Sequence, residues 1–225
     1  AFTNAKAARH ATLAHICAHV FFLSTDAENA QVATALADEL PVSIDVKVLG
    51  DISVHDCSVL ATSALKGALT ATGAEDVTYV NAPGLASERG LTSSVATDRE
   101  SPEYRSMISL HAAFSSGESI TVNGTLMGIK LTEKIIAIDE FDLDLAPTDH
   151  LLFLRYEDRP GVVGAVGNTL GKAGINIAGM QVARDKKGGE ALMAITVDSA
   201  IPSDLVELVR KETGSHLART ATLVN

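Results

Sequence analysis

The chain has 225 residues, a mass of 23.5 kDa and a formal net charge of −10. Hydrophobic residues make up 46% of it and charged residues 20%, which allows one large or two ordinary globular cores and excludes a disordered chain. The acidic balance argues against a nucleic-acid partner, because phosphate binding needs clustered lysine and arginine. All the excess charge lies before Thr148, since residues 148–225 hold nine acidic and nine basic side chains. This asymmetry predicts two units.

The first 39 residues are rich in alanine and predict helix. Thr25 and Asp26 are placed to cap a helix over residues 27–39, because short side-chain oxygens accept the free amide protons of a first turn. Pro41 follows and ends this helix. An apolar run over residues 16–23 is interrupted by a histidine and is much shorter than the roughly 20 residues of a membrane span. We therefore expect no membrane partner.

The chain contains two cysteines and seven histidines. Cys17 and Cys57 are too few to form a disulfide framework, and two reduced thiols in a cytoplasmic protein are favoured. His15 and His19 share one face of a helix and could hold a metal ion. No third ligand is evident, and the glutamate of the zinc-protease motif is replaced by Ile16, so solvated histidines are favoured and we expect no metal site.

Short strand and helix patterns alternate between residues 42 and 147. Apolar residues recur at every second position over 42–48, as in a strand with one buried face. The turn Ser115-Ser116-Gly117 between two alternating segments predicts a hairpin. Strands are predicted at 42–48, 77–80, 107–114 and 119–123, extended chain at 126–139, helices at 53–73 and near 86–90, and a linker at 146–149.

The C-terminal part predicts a ferredoxin-like unit. Strands are predicted at 150–156, 176–184, 191–197 and 216–223, and helices at 161–173 and 202–213. This βαββαβ order places two helices on one face of a four-stranded antiparallel sheet. The other face is left free to pack against another part of the protein. The expected fold class is therefore α/β (α+β), with a mixed-sheet unit followed by a ferredoxin-like unit.

Five glycines recur along the first helix of this unit: Gly161, Gly164, Gly167, Gly171 and Gly174. Their spacing matches neither the dinucleotide-binding fingerprint nor the P-loop. We therefore favour a smooth stripe that packs closely against a sheet or a second helix. No defensible Ser-His-Asp, Cys-His or carboxylate pair accompanies it, and the chain by itself is expected to be non-catalytic.

The loop from Arg155 to Gly161 carries more specific chemistry. Pro160 suits the first turn of a helix, and Gly161 has no side chain to block a ligand. The amides and dipole of the helix N-terminus attract a carboxylate, Asp158 could accept an ammonium group, and Asn176 offers both a donor and an acceptor. This set complements a small zwitterion. An equally supported alternative is that Asp158 caps the helix and Asn176 makes a turn.

This loop and the segment Leu-Gly-Lys-Ala-Gly-Ile-Asn-Ile-Ala-Gly-Met resemble an ACT domain, an amino-acid-sensing regulatory module. The segments Glu39-Leu-Pro-Val-Ser43, Val80-Asn-Ala-Pro83 and Asn123-Gly-Thr-Leu126 resemble the intervening domain of long-form D-3-phosphoglycerate dehydrogenases. The resemblance divides the chain into an unmatched helical segment at 1–35, an intervening domain at 36–147 and an ACT domain at 148–225.

The resemblance implies the regulatory part of a cytoplasmic NAD-dependent oxidoreductase of serine biosynthesis. NAD and the catalytic residues then belong to a region outside this chain, and the start at Ala1 agrees with excision from a longer polypeptide. The implied partners are L-serine as effector, a second ACT domain and the catalytic domains of the same polypeptide. The effector residues implied by motif, with the adjoining helix start, are Tyr156, Asp158, Pro160, Gly161, Asn176 and Ile177.

The sequence gives weaker support for a second site, one that would bind an anion. Some members of that family bind phosphate or substrate in the intervening domain through a lysine and an arginine. Lys134 matches the lysine, but Ala146 stands at the position of the arginine, which counts against the site. Arg105 is a candidate substitute.

Two alternative functions stay open. One is a small-chain-like regulatory subunit of an L-serine dehydratase, although the serine-rich motif of that chain is absent from the N-terminal region. The other is a free-standing amino-acid sensor that acts on another protein.

Overall fold

The computed structural model describes residues 24–223, which form two β-sheets and their helices. The helices are α1 (24–37), α2 (Ser58–Ala71), α3 (Ala82–Glu88), α4 (Val162–Lys172) and α5 (Ser203–Thr213), and a 3-10 helix covers Asp51–Val54. The strands of the first unit are β1 (Ser43–Gly50), β2 (Thr92–Asp98), β3 (Ser106–Ala113), β4 (Ser119–Met127), β5 (Thr132–Ile138) and β6 (Phe141–Leu145). Those of the second are β7 (His150–Glu157), β8 (Ile177–Arg184), β9 (Glu190–Val197) and β10 (Leu217–Thr222).

The first sheet is mixed, with strand order β2-β1-β3-β4-β5-β6. The pair β1 and β2 is parallel, and α2 and α3 supply the crossover that a parallel pair requires. The remaining neighbours are antiparallel. In β1 the apolar residues Ile44, Val46 and Val48 are buried, and the residues between them are exposed. The strand predicted from the alternation over 42–48 is therefore confirmed. The hairpin predicted around Ser115-Ser116-Gly117 is likewise confirmed by β3 and β4.

Two local predictions for this unit are wrong, and one strand was not predicted. Residues 77–80 form a turn, in which the Asn81 side chain accepts a hydrogen bond from the Thr78 amide at 2.7 Å and Val80 is 92% exposed. The apolar run had suggested a strand, but no neighbouring strand buries it. The helix predicted at 53–73 is divided into the 3-10 helix and α2. Strand β2 was missed, because its alternation of small polar residues carries little hydrophobic signal.

The predicted cap at Thr25 and Asp26 is also wrong. The chain is already helical at residue 24, so Asp26 lies inside α1 and not at its start. Both side chains are buried. The expectations for His15, Cys17 and His19 lie outside the described residues, as does the rest of the segment before residue 24.

The second sheet has strand order β10-β7-β9-β8 and is antiparallel throughout. Its two helices, α4 and α5, connect β7 to β8 and β9 to β10, which is the predicted ferredoxin-like βαββαβ arrangement. The helices cover one face, where Leu152, Leu154 and Ile195 join residues of α4 and α5 in one core. The fold class predicted from the sequence is confirmed.

The other face of this sheet packs on the first unit. Leu151, Phe153 and Leu192 lie in the same hydrophobic core as the first sheet and its helices. Polar contacts reinforce this junction: Arg155 donates to Asp139 at 2.6 Å, with its guanidinium 5.1 Å from the centre of the Phe141 ring. The expectation that the free face would be covered is therefore met within this chain.

Helix α1 is unusual because polar side chains lie in the interior. Residues 25–34 are all buried, and they include Asp26, Glu28 and Asn29. Burial raises the pKa of Asp26 well above its usual value; the Ala64 backbone offsets part of this but makes no hydrogen bond of good geometry to either carboxylate oxygen. Burial, and then repulsion from Glu133, raises the pKa of Glu28 to about 8.

Two further findings concern sites predicted to be absent. No helix among residues 24–223 is long and apolar enough to cross a membrane. Within the same residues, no cluster of three or more His, Cys, Asp or Glu side chains could hold a metal ion. Cys57 is buried, and its thiol donates to the carbonyl oxygen of His55 at 3.4 Å.

Candidate effector site

The predicted loop begins where β7 ends, and its first side chain is buried. Tyr156 is 2% exposed and belongs to the core between the sheet and its helices. Burial, and then the Asp158 carboxylate, raises the pKa of Tyr156, while the Arg184 guanidinium lowers it. The phenol is therefore close to both charges and stays neutral. It can act on a ligand as a fixed hydrogen-bonding group.

Asp158 faces the turn between β8 and β9. Its carboxylate accepts a hydrogen bond from Arg184 at 3.2 Å and a longer one from the Gly188 amide at 3.4 Å. Its own amide donates to the Gly189 carbonyl at 2.8 Å. No side chain caps α4, so the alternative in which Asp158 serves as the helix cap is not what the structure contains. The carboxylate is held at the surface beside a positive charge.

The start of α4 differs slightly from the prediction. Gly161 is the N-cap residue, with a φ of 95° that side chains disfavour, and the helix begins at Val162. The sequence predicted Pro160 in the first turn of this helix, but Pro160 precedes the N-cap residue and lies outside the helix. Because no side chain caps α4, the first amides of the helix are available to an anion.

Asn176 does not join this group within one chain. It immediately precedes β8, whereas Arg184, the contact of Asp158, ends the same strand. Eight residues of strand separate the two ends by roughly 23 Å at about 3.3 Å per residue. The Asn176 amide instead donates to the Asp198 carboxylate at 2.5 Å. Ile177, half-buried, pairs with Val197 at that same far end.

Strand β8 is an edge strand of the second sheet, and the Gln181 side chain in its middle accepts from the Asp144 amide and donates to the Asp144 carbonyl of β6. In the described part of the chain no strand pairs with its outer side. Val182 on this strand is 40% exposed and Val163 on α4 is 51% exposed. A Cβ built on Gly164 or Gly171 would meet nothing within 4 Å. The predicted close packing of the glycine stripe is therefore wrong within this chain, because these glycines face outward.

The two candidate anion-binding side chains are each paired with a carboxylate. Lys134 lies 2.8 Å from Asp144, and Arg105 lies 2.7 Å from Asp51. No described contact joins the two cations. With each charge already compensated, this pair makes a poor phosphate site.

A separate concavity of about 540 Å³ lies between the two units and shares no residue with the predicted site. It is lined by the end of α1 and the residues just after it, the end of α2, the start of α5 and β10. The one cation among its described lining residues, Arg219, contacts Asp38 at 3.4 Å, and Glu207 is bound at 2.6 Å by Arg210, which lies outside the lining. Glu39 accepts hydrogen bonds from the Ser115 and Ser116 hydroxyl groups at 3.4 Å. The cation of this concavity is therefore already paired with a carboxylate.

Sequence reasoning missed Arg184 and the Gly188 amide. Arg184 was predicted as the end of a strand, and Gly188 lies in the turn that follows it. The positive charge of Arg184 was the one signal in the sequence that could have indicated a partner for Asp158. Linking them to Asp158 requires the sheet order, which brings residues 158 and 184 together across 26 positions of sequence.

Comparison with known families now adds to this geometry. Residues 150–214 match the model of the ACT domain, and residues 30–139 match that of the D-3-phosphoglycerate dehydrogenase intervening domain. This chain belongs to the regulatory region of the D-3-phosphoglycerate dehydrogenases. The first sheet is thus the core of its intervening domain, and β7 to β10 with α4 and α5 form its ACT domain.

Curated relatives carry the same family name. D-3-phosphoglycerate dehydrogenase of Mycobacterium tuberculosis is 40% identical over 174 residues, which are 77% of this chain and 33% of that protein. The Synechocystis enzyme is 32% identical over 194 residues, covering 86% and 34%, and the Bacillus subtilis enzyme is 34% identical over 164 residues, covering 73% and 31%. The chain spans about a third of the length of the curated relatives it matches.

Among solved structures, the quorum-quenching acylase GqqA aligns over 63% of this chain and 56% of its own. Its TM-score of 0.24 and 13% sequence identity are too low to bear on fold or function.

Proposed function

We propose that this regulatory region senses L-serine at a seam between two ACT domains. In this proposal, serine controls the NAD-dependent oxidation of 3-phosphoglycerate by a catalytic region outside the chain, in the cytoplasm. The observation that supports it most is the separation of Asp158 and Asn176 by the length of β8. Neither end is a complete zwitterion site by itself.

A two-fold axis removes this separation. If β8 pairs antiparallel with β8 of a second copy, about the middle of the strand, the start of one strand lies beside the end of the other. Asn176 of one copy then lies near Asp158 of the other. The unpaired edge of β8, the exposed Val182 and Val163 and the outward glycines of α4 are features of a surface that a second copy could cover.

The assembled site has a place for each group of serine. Asp158 accepts the ammonium group, and the uncapped amides of α4 after Gly161 favour the carboxylate. Asn176 of the second copy can accept from or donate to the hydroxyl. The buried, neutral Tyr156 forms the wall beside Asp158.

The site is also placed to influence the intervening domain. Tyr156 faces the core of the ACT domain, and the preceding residue, Arg155, points to the opposite face and binds Asp139. A shift of the end of β7 on serine binding therefore acts directly on the turn between β5 and β6. This contact supports the proposed route from effector to the remainder of the protein.

Titration calorimetry of the full chain with L-serine, together with light scattering, tests the proposal. We expect a dimer that binds two serines. Asp158→Asn and Asn176→Ala should each abolish the heat, whereas Asp204→Asn, on exposed α5, should leave it unchanged. Absence of any heat or thermal shift at millimolar serine in the wild-type chain would contradict the effector role.

A mixing experiment tests the seam itself. Asp158→Asn and Asn176→Ala chains, each inactive alone, are denatured together, refolded and titrated. If each site takes Asp158 from one copy and Asn176 from the other, mixed dimers regain one intact site of their two. If both residues act within one chain, mixing restores nothing, and the two-fold arrangement is rejected.

A further inference from the structure

The Asp158 carboxylate is already bound to a cation in the structure. Arg184 donates to its Oδ2 at 3.2 Å, and the Gly188 amide donates to the same oxygen at 3.4 Å. An ammonium group that approaches Asp158 therefore meets a guanidinium first. The proposed site must either displace Arg184 or make use of it.

The two partners differ in how firmly they are fixed. Asp158 is 21% exposed, and its backbone amide is bound to the Gly189 carbonyl, so it is held on both sides by the turn. Arg184 is 54% exposed and makes a single described contact to Asp158. An ion pair with one partner exposed to water to this extent contributes little to stability. Arg184 can thus turn away from Asp158 at little cost while the carboxylate stays in place.

A zwitterion fits between these two charges without leaving either one uncompensated. Its ammonium group replaces the guanidinium on Asp158, and its carboxylate then faces the guanidinium that it has released. We propose, on the basis of the proposed function, that Arg184 binds the carboxylate of the effector alongside the first amides of α4, and so restricts the site to ligands that carry both charges. Arg184 is in this sense a specificity-determining residue, additional to the motif residues.

The position of Arg184 is suited to this role. It is the last residue of β8 and precedes the turn in which Gly188 has a φ of 72°. Its planar guanidinium offers two parallel N–H groups, the geometry that a carboxylate accepts best. Arg184 also competes for Asp158 with any ligand that has an ammonium group but no carboxylate. Such a ligand displaces Arg184 and leaves its guanidinium without a new carboxylate partner.

Calorimetry with three ligands tests the inference on the full chain. The ligands are L-serine, L-serinamide, which lacks the carboxylate charge, and 3-hydroxypropionate, which lacks the ammonium group. Arg184→Gln should lower the affinity for L-serine at least tenfold, because a charge-assisted bidentate contact is lost. The same substitution should leave the affinity for L-serinamide unchanged or raise it, because Arg184 no longer competes with the ammonium group for Asp158. Arg184→Lys should recover part of the serine affinity, because the charge remains but the fork is lost.

Lys187→Gln is the matched control. It removes a positive charge from the same exposed turn, and we expect both affinities to stay within twofold. If Arg184→Gln leaves L-serine within twofold, or weakens L-serinamide equally, Arg184 has no role in carboxylate recognition. That result is distinct from failure of the proposed function, in which the wild-type chain itself binds no serine.

Discussion

Glycine serves opposite purposes in the two domains. In the intervening domain, a Cβ built on Gly67 of α2 would lie 2.2 Å from the Ala27 carbonyl oxygen of α1. A Cβ on Gly124 of β4 would lie 2.5 Å from the Thr25 side chain, so α1 rests directly on both neighbours. In the ACT domain, the glycines of α4 contact nothing through the missing side chain. The first set closes the fold, and the second leaves an open surface.

The two domains also differ in what they bury. Helix α1, which packs on the intervening domain, contributes Asp26, Glu28 and Asn29 to the interior, two of them with unpartnered polar atoms, and Glu28 has a pKa of about 8. Among residues 150–223 no carboxylate is buried, and the buried polar side chains of the ACT domain are the hydroxyl groups of Tyr156, Thr196, Thr213 and Ser215. The comparison indicates that buried carboxyl and amide groups cost stability in the first unit, while the exposed glycine surface belongs to the second.

Gly67→Ala should produce the largest effect. The added methyl group cannot be accommodated by a side-chain movement, because it meets backbone atoms of α1. We expect the free energy of unfolding to fall by about 3 kcal/mol, the range for overpacking and backbone shifts. Urea denaturation measures this change, and a loss below about 1 kcal/mol would show that α1 and α2 can separate easily.

Glu28→Gln should stabilise the chain in a pH-dependent way. The folded pKa of about 8 exceeds the ordinary 4.5, so the folded state retains a proton that the unfolded state loses between these values. In this pH range Glu28 ionises in the unfolded state and stays protonated in the folded state. The free energy of unfolding therefore falls progressively as pH rises from about 4.5 to about 8. We expect the variant to gain about 2 kcal/mol at pH 6 and almost nothing at pH 4.5.

Urea denaturation at both pH values checks this, with Glu118→Gln, an exposed side chain, as control. An equal gain at the two pH values would mean that packing, and not the charge of Glu28, limits stability.

Asp139→Asn should weaken the junction between the domains by about 1 kcal/mol, because it removes the charge that Arg155 binds in a largely buried setting. Asparagine keeps an oxygen for the Thr121 amide and tolerates the φ of 50° at this position. Asp51→Asn breaks an exposed Arg–Asp pair of similar length and should cost less than about 0.5 kcal/mol. Equal losses in thermal unfolding would show that the junction pair has no special weight.

Gly164→Ala should give the smallest change, and of opposite sign. The helix gains about 0.5–1 kcal/mol when an open glycine is replaced by alanine. We expect this gain in the free energy of unfolding of the dilute, monomeric chain. If α4 faces the second copy, light scattering should in addition show a weaker dimer. A gain in stability without any change in association would place the seam elsewhere.

The amino-acid sequence by itself determined the repeating pattern of the ACT domain, the hairpin of β3 and β4 and the residues Tyr156 and Asp158 of the candidate site. These features depend on alternation, turn residues and a motif within a few positions of each other, so they can be recognised locally. The open glycine surface, in contrast, could not be distinguished from a packed one, because the presence of a glycine in a helix, at Gly67 or at Gly164, says nothing about what lies opposite it.

Only the tertiary structure decided which distant residues meet. Strand β2 joins β1 through a parallel crossover, and Arg184 reaches Asp158 because β8 and β7 both flank β9. The same sheet order places Asn176 at the far end of β8, so Asp158 and Asn176, which the sequence grouped together, lie apart within one chain. Contacts of this kind depend on the direction and order of the strands, which no local pattern in the sequence records.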